Sequence, residues 1–148
     1  MQKNTYGKIG EIIAAKHLEA KGFKIIAKNY KNKIGEIDLI AKDGDYLVFV
    51  EVKTRLSAAF GNPVEAVNFY KQRKIRQVAL AYLKQHKLLE QNCRFDVVSI
   101  IGQADDCVIT HIENAFWCVV YFINIIIKIN VRILCTAKIQ ISTKLTII

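Results

Sequence analysis

The spacing of apolar residues along the chain changes from helix-like to strand-like and back. From Thr5 to Lys21, the residues Ile9, Ile12, Ile13 and Leu18 give an approximate helical face, and Ala14, Ala15 and Ala20 favour the same state. Asn4 or Thr5 suits the start of this helix and Gly22 its end. Phe23 to Tyr30 alternates, which predicts a strand with Phe23, Ile25 and Ala27 on one side. Ile34 to Arg55 reads as two apolar strands around Asp43-Gly44-Asp45, and an Asp-Gly pair between hydrophobic runs is a strong hairpin signal. Beyond a small-residue loop, Asn62, Pro63 and Glu65 carry the chemistry of a helix start. The pattern stays helical from Val64 to about Leu89, with Val67, Ile75, Val78, Ala79, Tyr82 and Leu83 on one broad face and room for a break near Asn68. Arg94 to Ile101 alternates as a fourth strand, and Cys107 to Ile112 as a last, edge strand.

Three charges sit inside the hairpin strands: Asp38, Glu51 and Lys53. Their neighbours Ile37, Leu39, Ile40, Val48, Phe49, Val50 and Val52 are bulky on both sides, so both faces of this sheet are expected to be covered. An isolated carboxylate in such a place costs on the order of tens of kcal/mol in the idealised limit, so it needs a partner cation. Glu51 and Lys53 are two apart and share a face. If the loop centres between Gly44 and Asp45, Asp38 lies opposite Glu51; a shift of one residue turns Asp38 to the other face. The first register gathers two acids and an ammonium group. Two clustered acids form a magnesium-type ligand set, and the lysine can orient or deprotonate a water. Such a constellation is suited to phosphodiester hydrolysis. Glu11, beside the apolar stripe of the first helix, is either a solvated glutamate or a third acid completing the shell. Asp96, another acid in a strand, is expected to form a salt bridge to Arg94 or a neighbouring cation rather than to ligate a metal.

Charge narrows the choice of partner. The chain is one domain in length at 148 residues and carries a formal +9, which points to nucleic acid or a membrane surface over a merely basic soluble protein. Lys28, Lys31 and Lys33 cluster before the hairpin, as a solvated edge or a phosphate-facing rim. Lys71, Gln72, Arg73, Lys74 and Arg76 sit early in the long helix, where cations oppose its dipole. A phosphate backbone would account for them, as would ordinary solvated surface. The four cysteines show no close pair, so neither zinc nor a disulfide framework is signalled and a cytoplasmic location is expected. The amino terminus has no signal-peptide pattern.

Taken together, Gly10-Glu11, Asn29-Tyr30, the runs GEIDLIA and FVEVKTR, the FG-P loop, EAV, the KQR helix and RFDVV resemble the YraN-type family of bacterial proteins. That family is related to archaeal Holliday-junction resolvases and to endonucleases of the PD-(D/E)xK type. The resemblance covers roughly residues 4 to 116. It implies an α/β/α restriction-endonuclease-like core with a mixed central sheet flanked by helices. It also implies a metal-dependent nuclease with Mg²⁺ or Mn²⁺ on Asp38 and Glu51, Glu11 as the supporting acid and Lys53 as the motif lysine. Ile37 stands where the motif has proline. Branched or structured DNA is the substrate suggested by analogy, and a homodimer would let two sites reach two strands. The alternative is an accessory nucleic-acid-binding module that keeps the fold without the catalysis.

Residues 117–148 depart from this pattern. They are rich in isoleucine and hold no acid, so the +9 divides into +5 up to residue 116 and +4 beyond it. The charge-free run from Asn114 to Ile127 has 14 residues, short of the roughly 20 needed to cross a bilayer. An extension foreign to the family, such as a shifted reading frame, is expected in preference to a membrane anchor. Its alternating segments are β-prone and an aggregation hazard. The expected division is therefore 1–116 as the endonuclease-like domain and 117–148 as an atypical extension.

Overall fold

The computed structural model describes residues 3–57, 67–103 and 106–116. Helix α1 spans Lys3–Ala20, followed by β1 (Lys24–Lys31), β2 (Glu36–Asp43), β3 (Tyr46–Arg55), α2 (Phe69–Gln85), β4 (Asn92–Gln103) and β5 (Asp106–Phe116). The strands form one sheet in chain order, β1-β2-β3-β4-β5. Pairing is antiparallel throughout except between β3 and β4, which run parallel. A parallel neighbour needs a crossover, and α2 supplies it.

Each face of the sheet receives a helix. Ala14, Ala15 and Leu18 of α1 join Leu39, Ala41, Val48, Val50, Val98 and Ile100 in one buried cluster. On the opposite face, Phe49 meets Tyr82 of α2 edge-on with a centroid separation of 6.0 Å and stacks on Phe95 at 5.5 Å, both ordinary aromatic pairings. Successive strand residues point to opposite faces, so Val48 and Val50 face α1 while Phe49, Glu51 and Lys53 face the other way. The α/β/α arrangement with a mixed sheet is the one expected.

The first helix packs differently from its isoleucine pattern. Ile12 is 54% exposed, whereas Gly10, Ala14, Ala15 and Leu18 are buried. A Cβ added at Gly10 would stand 2.0 Å from Thr54 Oγ1, so the helix approaches β3 closely there and small residues take the contact. The described part of the helix starts at Lys3, so Asn4 and Thr5, read as caps, lie within its first turn. Its end is the expected one. Gly22 adopts φ +92, Gly22 N donates to Glu19 O and Phe23 N donates to Leu18 O, which closes the helix with a left-handed glycine.

Asn68 caps α2, accepting from the Lys71 backbone N–H at 2.9 Å, at the position where the pattern leaves room for a break. The helix start read at Asn62, Pro63 and Glu65 lies outside the described residues. The buried face is the expected one, with Ile75, Val78, Ala79, Tyr82 and Leu83. This helix stops at Gln85 rather than near Leu89. Lys87 takes φ +58, and Leu88 N donates to Leu83 O at 2.8 Å, the same closure as at Gly22 but without a glycine. Among the described residues no helix is long and apolar enough to cross a membrane. The extension 117–148 lies outside the described residues.

Candidate active site

The hairpin between β2 and β3 sets the site. Gly44 has φ +52 and, with Asp45, forms a two-residue loop between the paired Asp43 and Tyr46. From there the register runs Lys42 with Leu47, Ala41 with Val48, Ile40 with Phe49 and Leu39 with Val50. One step further sets Asp38 opposite Glu51, the register that gathers the charges on a single face. Beyond that step the Asp38 side chain takes over from the ladder, its Oδ2 accepting the Val52 backbone N–H at 2.7 Å.

Glu51 is 4% exposed. Its Oε1 accepts from Lys53 Nζ at 2.7 Å and lies 3.3 Å from Lys71 Nζ. Its Oε2 is buried with no hydrogen-bond partner. A carboxylate oxygen left this way costs on the order of 1–3 kcal/mol or more, so the position is one where a cation or a donor from a ligand would be stabilised. Burial, and then the charge of Glu51, push the Asp38 carboxyl up to about 7, against smaller opposing effects from the Val52 N–H and Lys71. Two acids therefore share one low-dielectric corner, and the ammonium groups beside them sit on one oxygen of one acid.

Glu11 lies at the margin of this group. Its carboxylate raises the Asp38 proton affinity slightly, so it is within electrostatic reach, but its hydrogen bond is to Asn29 Nδ2 at 2.7 Å. Asn29 adopts φ +54 near a bulge in β1, which turns its amide toward the helix. Among the described residues no three His, Cys, Asp or Glu side chains converge as a complete metal-binding group. The structure thus brings Asp38, Glu51 and Lys53 together and leaves Glu11 one hydrogen bond aside.

The basic cluster of α2 is divided by the helix itself. Lys71 faces Glu51, a partner other than the phosphate backbone or the solvent read for it. Lys74 is exposed, its ammonium 5.2 Å from the centre of the Tyr70 ring. Gln72 donates to Val67 O and accepts from Arg76, whose guanidinium lies over Phe116. Arg73 is exposed. Of the lysines before the hairpin, Lys31 and Lys33 line a groove of about 520 Å³ together with Lys71 and Lys74, and Lys28 does not.

On the α1 face, Asp96 is fully buried and forms the expected salt bridge, its two oxygens each 3.2 Å from Arg94 Nε. His111 Nε2 adds a contact at 2.9 Å and the Asn114 N–H another at 3.1 Å. Asp96 is thus satisfied by its own neighbours and stands on the opposite face from Glu51. The part of His111 could not be read from β5, because it depends on the pairing of β4 with β5.

A mixed five-stranded sheet between helices, with two acids and a lysine on adjacent strands of its central hairpin, belongs with the restriction-endonuclease-like α/β cores. The particular family follows from comparison. Residues 10–100 match the model of the family described as Uncharacterised protein family UPF0102, and the chain belongs to that family, the YraN-type group its motifs resemble. It is 46% identical over 119 residues to a UPF0102 protein of Caldanaerobacter subterraneus subsp. tengcongensis, covering 78% of this chain and 98% of the relative. It is 47% identical over 117 residues to one from Thermodesulfovibrio yellowstonii, covering 79% of this chain and all of that relative. A third, from Geotalea daltonii, is 49% identical over 114 residues, with 76% and 89% covered.

Proposed function

We propose that the protein is a divalent-metal-dependent nuclease that hydrolyses phosphodiester bonds in DNA, with branched or structured DNA suggested by likeness to resolvases. The observation that carries the reading is the unpartnered buried Oε2 of Glu51 on the same face as Asp38, where burial and Glu51 push the carboxyl up to about 7. Apolar packing alone gives no reason to set two acids together in this way.

The donor set fits Mg²⁺ or Mn²⁺. These ions are commonly held by one or two carboxylates, with water and phosphate oxygens filling the remaining positions. Asp38 and Glu51 would hold the ion, and Glu11 would act through a bound water. When bound, such an ion supplies Lewis-acid stabilisation of charge on the phosphate. Lys53, held at 2.7 Å from Glu51, points its donors to the same corner and would align the attacking water or hydrogen-bond a phosphoryl oxygen. Lys71 would leave Glu51 to meet the phosphate entering beside it. A homodimer would bring two such sites to two strands.

A second reading, a nucleic-acid-binding module without catalysis, draws on the pairing of Glu51 Oε1 with both Lys53 and Lys71, which partly balances the charge from within the chain. Titration of Mn²⁺ into the full chain separates the two. The nuclease reading expects a millimolar or tighter site that Glu51→Gln weakens by about tenfold or more, since loss of even an outer partner of a metal ligand costs roughly that much. No such site, or one indifferent to Glu51→Gln, would favour the binding module.

A further inference from the structure

The groove beside the acids has a composition that bears on the form of its ligand. Its walls are the turn of residues 31–36 and the first turns of α2, with Asn68, Tyr70, Lys71, Lys74 and Ile75 on the helix side. Asn32 holds the turn in place by accepting from the backbone N–H groups of Ile34 at 2.8 Å and Gly35 at 3.1 Å. Four lysines (Lys31, Lys33, Lys71 and Lys74) line the groove against a single acid, Glu36, which is paired with Lys31 at 2.8 Å. Such a channel is electrostatically suited to a polyanion. It also has a direction, since Lys71 touches the oxygen of Glu51 and Glu36 lies two residues before Asp38 on β2.

The first two residues of α2 add a second kind of surface. Among the described residues Phe69 is the most exposed large hydrophobic side chain at 73%, and Tyr70 is 67% exposed. Tyr70 lines the groove, and the Lys74 ammonium stands over its ring at 5.2 Å, which limits the ring's freedom and leaves its other face open. A paired duplex keeps its base faces stacked inside and presents phosphates and edges. Open aromatic rings beside a basic channel gain nothing from it, whereas they stack well on the bases of a strand with no partner.

We infer that this groove takes an unpaired nucleic-acid strand, with Lys33, Lys71 and Lys74 along the backbone and Tyr70, together with Phe69, as a stacking platform that leads the strand to Asp38 and Glu51. The inference rests on the nucleic-acid reading above and narrows its substrate to single strands, flaps or frayed ends next to a junction.

Fluorescence anisotropy with the full-length protein in EDTA tests it without any cleavage step. The probes are a labelled 15-nucleotide DNA strand, an RNA strand of the same sequence, and the DNA strand annealed to its complement. At least one single strand should bind about tenfold or more tighter than the duplex. The double variant Phe69→Ala/Tyr70→Ala should lose about tenfold on the single strand, in line with the stacking of one base, with little change on the duplex. Lys33→Ala/Lys74→Ala should weaken single strand and duplex alike and flatten the salt dependence by about 0.7 per lysine on the single strand. Both residue pairs are on the surface, and thermal melts establish that each variant is folded. Equal binding of strand and duplex, or full single-strand affinity in the folded aromatic variant, would overturn the inference. Strand-selective binding with no cutting under any metal would leave it standing while the nuclease reading failed.

Discussion

At the scale of single residues, Asp38 is under conflicting demands. Its Oδ2 accepts the Val52 N–H where the β2–β3 ladder gives out, yet burial and Glu51 hold its carboxyl at about 7 instead of 3.8. Between those two values the folded chain binds a proton that the unfolded chain has released, so stability falls as pH rises through that window and stays lowered above it. An asparagine keeps an oxygen for the Val52 N–H and removes the charge. In EDTA, Asp38→Asn should therefore melt higher than the wild type at pH 8, by a margin equivalent to roughly 1–3 kcal/mol, and the margin should vanish near pH 4. Millimolar Mg²⁺ should raise the wild-type melting temperature and leave that of Asp38→Asn nearly unmoved. Identical melting of the two proteins at pH 8 would mean that Asp38 is not held against its charge. The gain in stability with a loss of activity is the trade-off expected of a functional acid.

At the scale of elements, the contact between α1 and β3 decides where Glu11 stands. Gly10 leaves no room for a methyl group, with Thr54 Oγ1 at 2.0 Å and Thr54 Cβ at 3.2 Å from the position a Cβ would take. Gly10→Ala should cost about 1–3 kcal/mol by overpacking, read from a denaturant midpoint. Adding Thr54→Ala should recover most of that loss; no recovery would show that the close approach is not what limits the position. This contact also marks what the amino-acid pattern could and could not reveal. The hairpin register was legible as one of two alternatives, and the two-residue loop Gly44-Asp45 selects the one that puts Asp38 opposite Glu51. The buried face of α2 was legible for a similar reason, since Ile75, Val78, Ala79, Tyr82 and Leu83 follow one helical stripe. The face of α1 was legible only in part: Leu18 and Ile13 pack as read, but close packing favoured Gly10, Ala14 and Ala15 over the larger Ile12. Nor could the pairing of Lys71 with Glu51 be read, since it depends on where the crossover from β3 delivers the start of α2.

At the scale of the molecule, the two faces of the sheet separate two ways of keeping buried charge. On the α1 side, Asp96 is enclosed by Arg94, His111 and the Asn114 N–H, so both carboxylate oxygens have partners, while Arg94 Nη2, itself without a hydrogen bond, lies 3.6 Å from Glu113. On the α2 side, Glu51 retains an unpartnered oxygen, Asp38 resists ionisation, and a basic groove opens beside them. The first arrangement explains itself through stability; the second calls for a ligand. The direct test of that claim is cleavage. Full-length protein and Glu51→Gln should be incubated with single-stranded, duplex, flapped and four-way-junction DNA, and with RNA, in Mn²⁺, in Mg²⁺ and in EDTA. The account predicts metal-dependent cutting of a DNA substrate by the wild type, reduced about a hundredfold or more in Glu51→Gln, the scale on which a transition-state charge stabiliser is lost. Absence of cutting by the wild type on every substrate and with both metals, or cutting that Glu51→Gln retains in full, would contradict it.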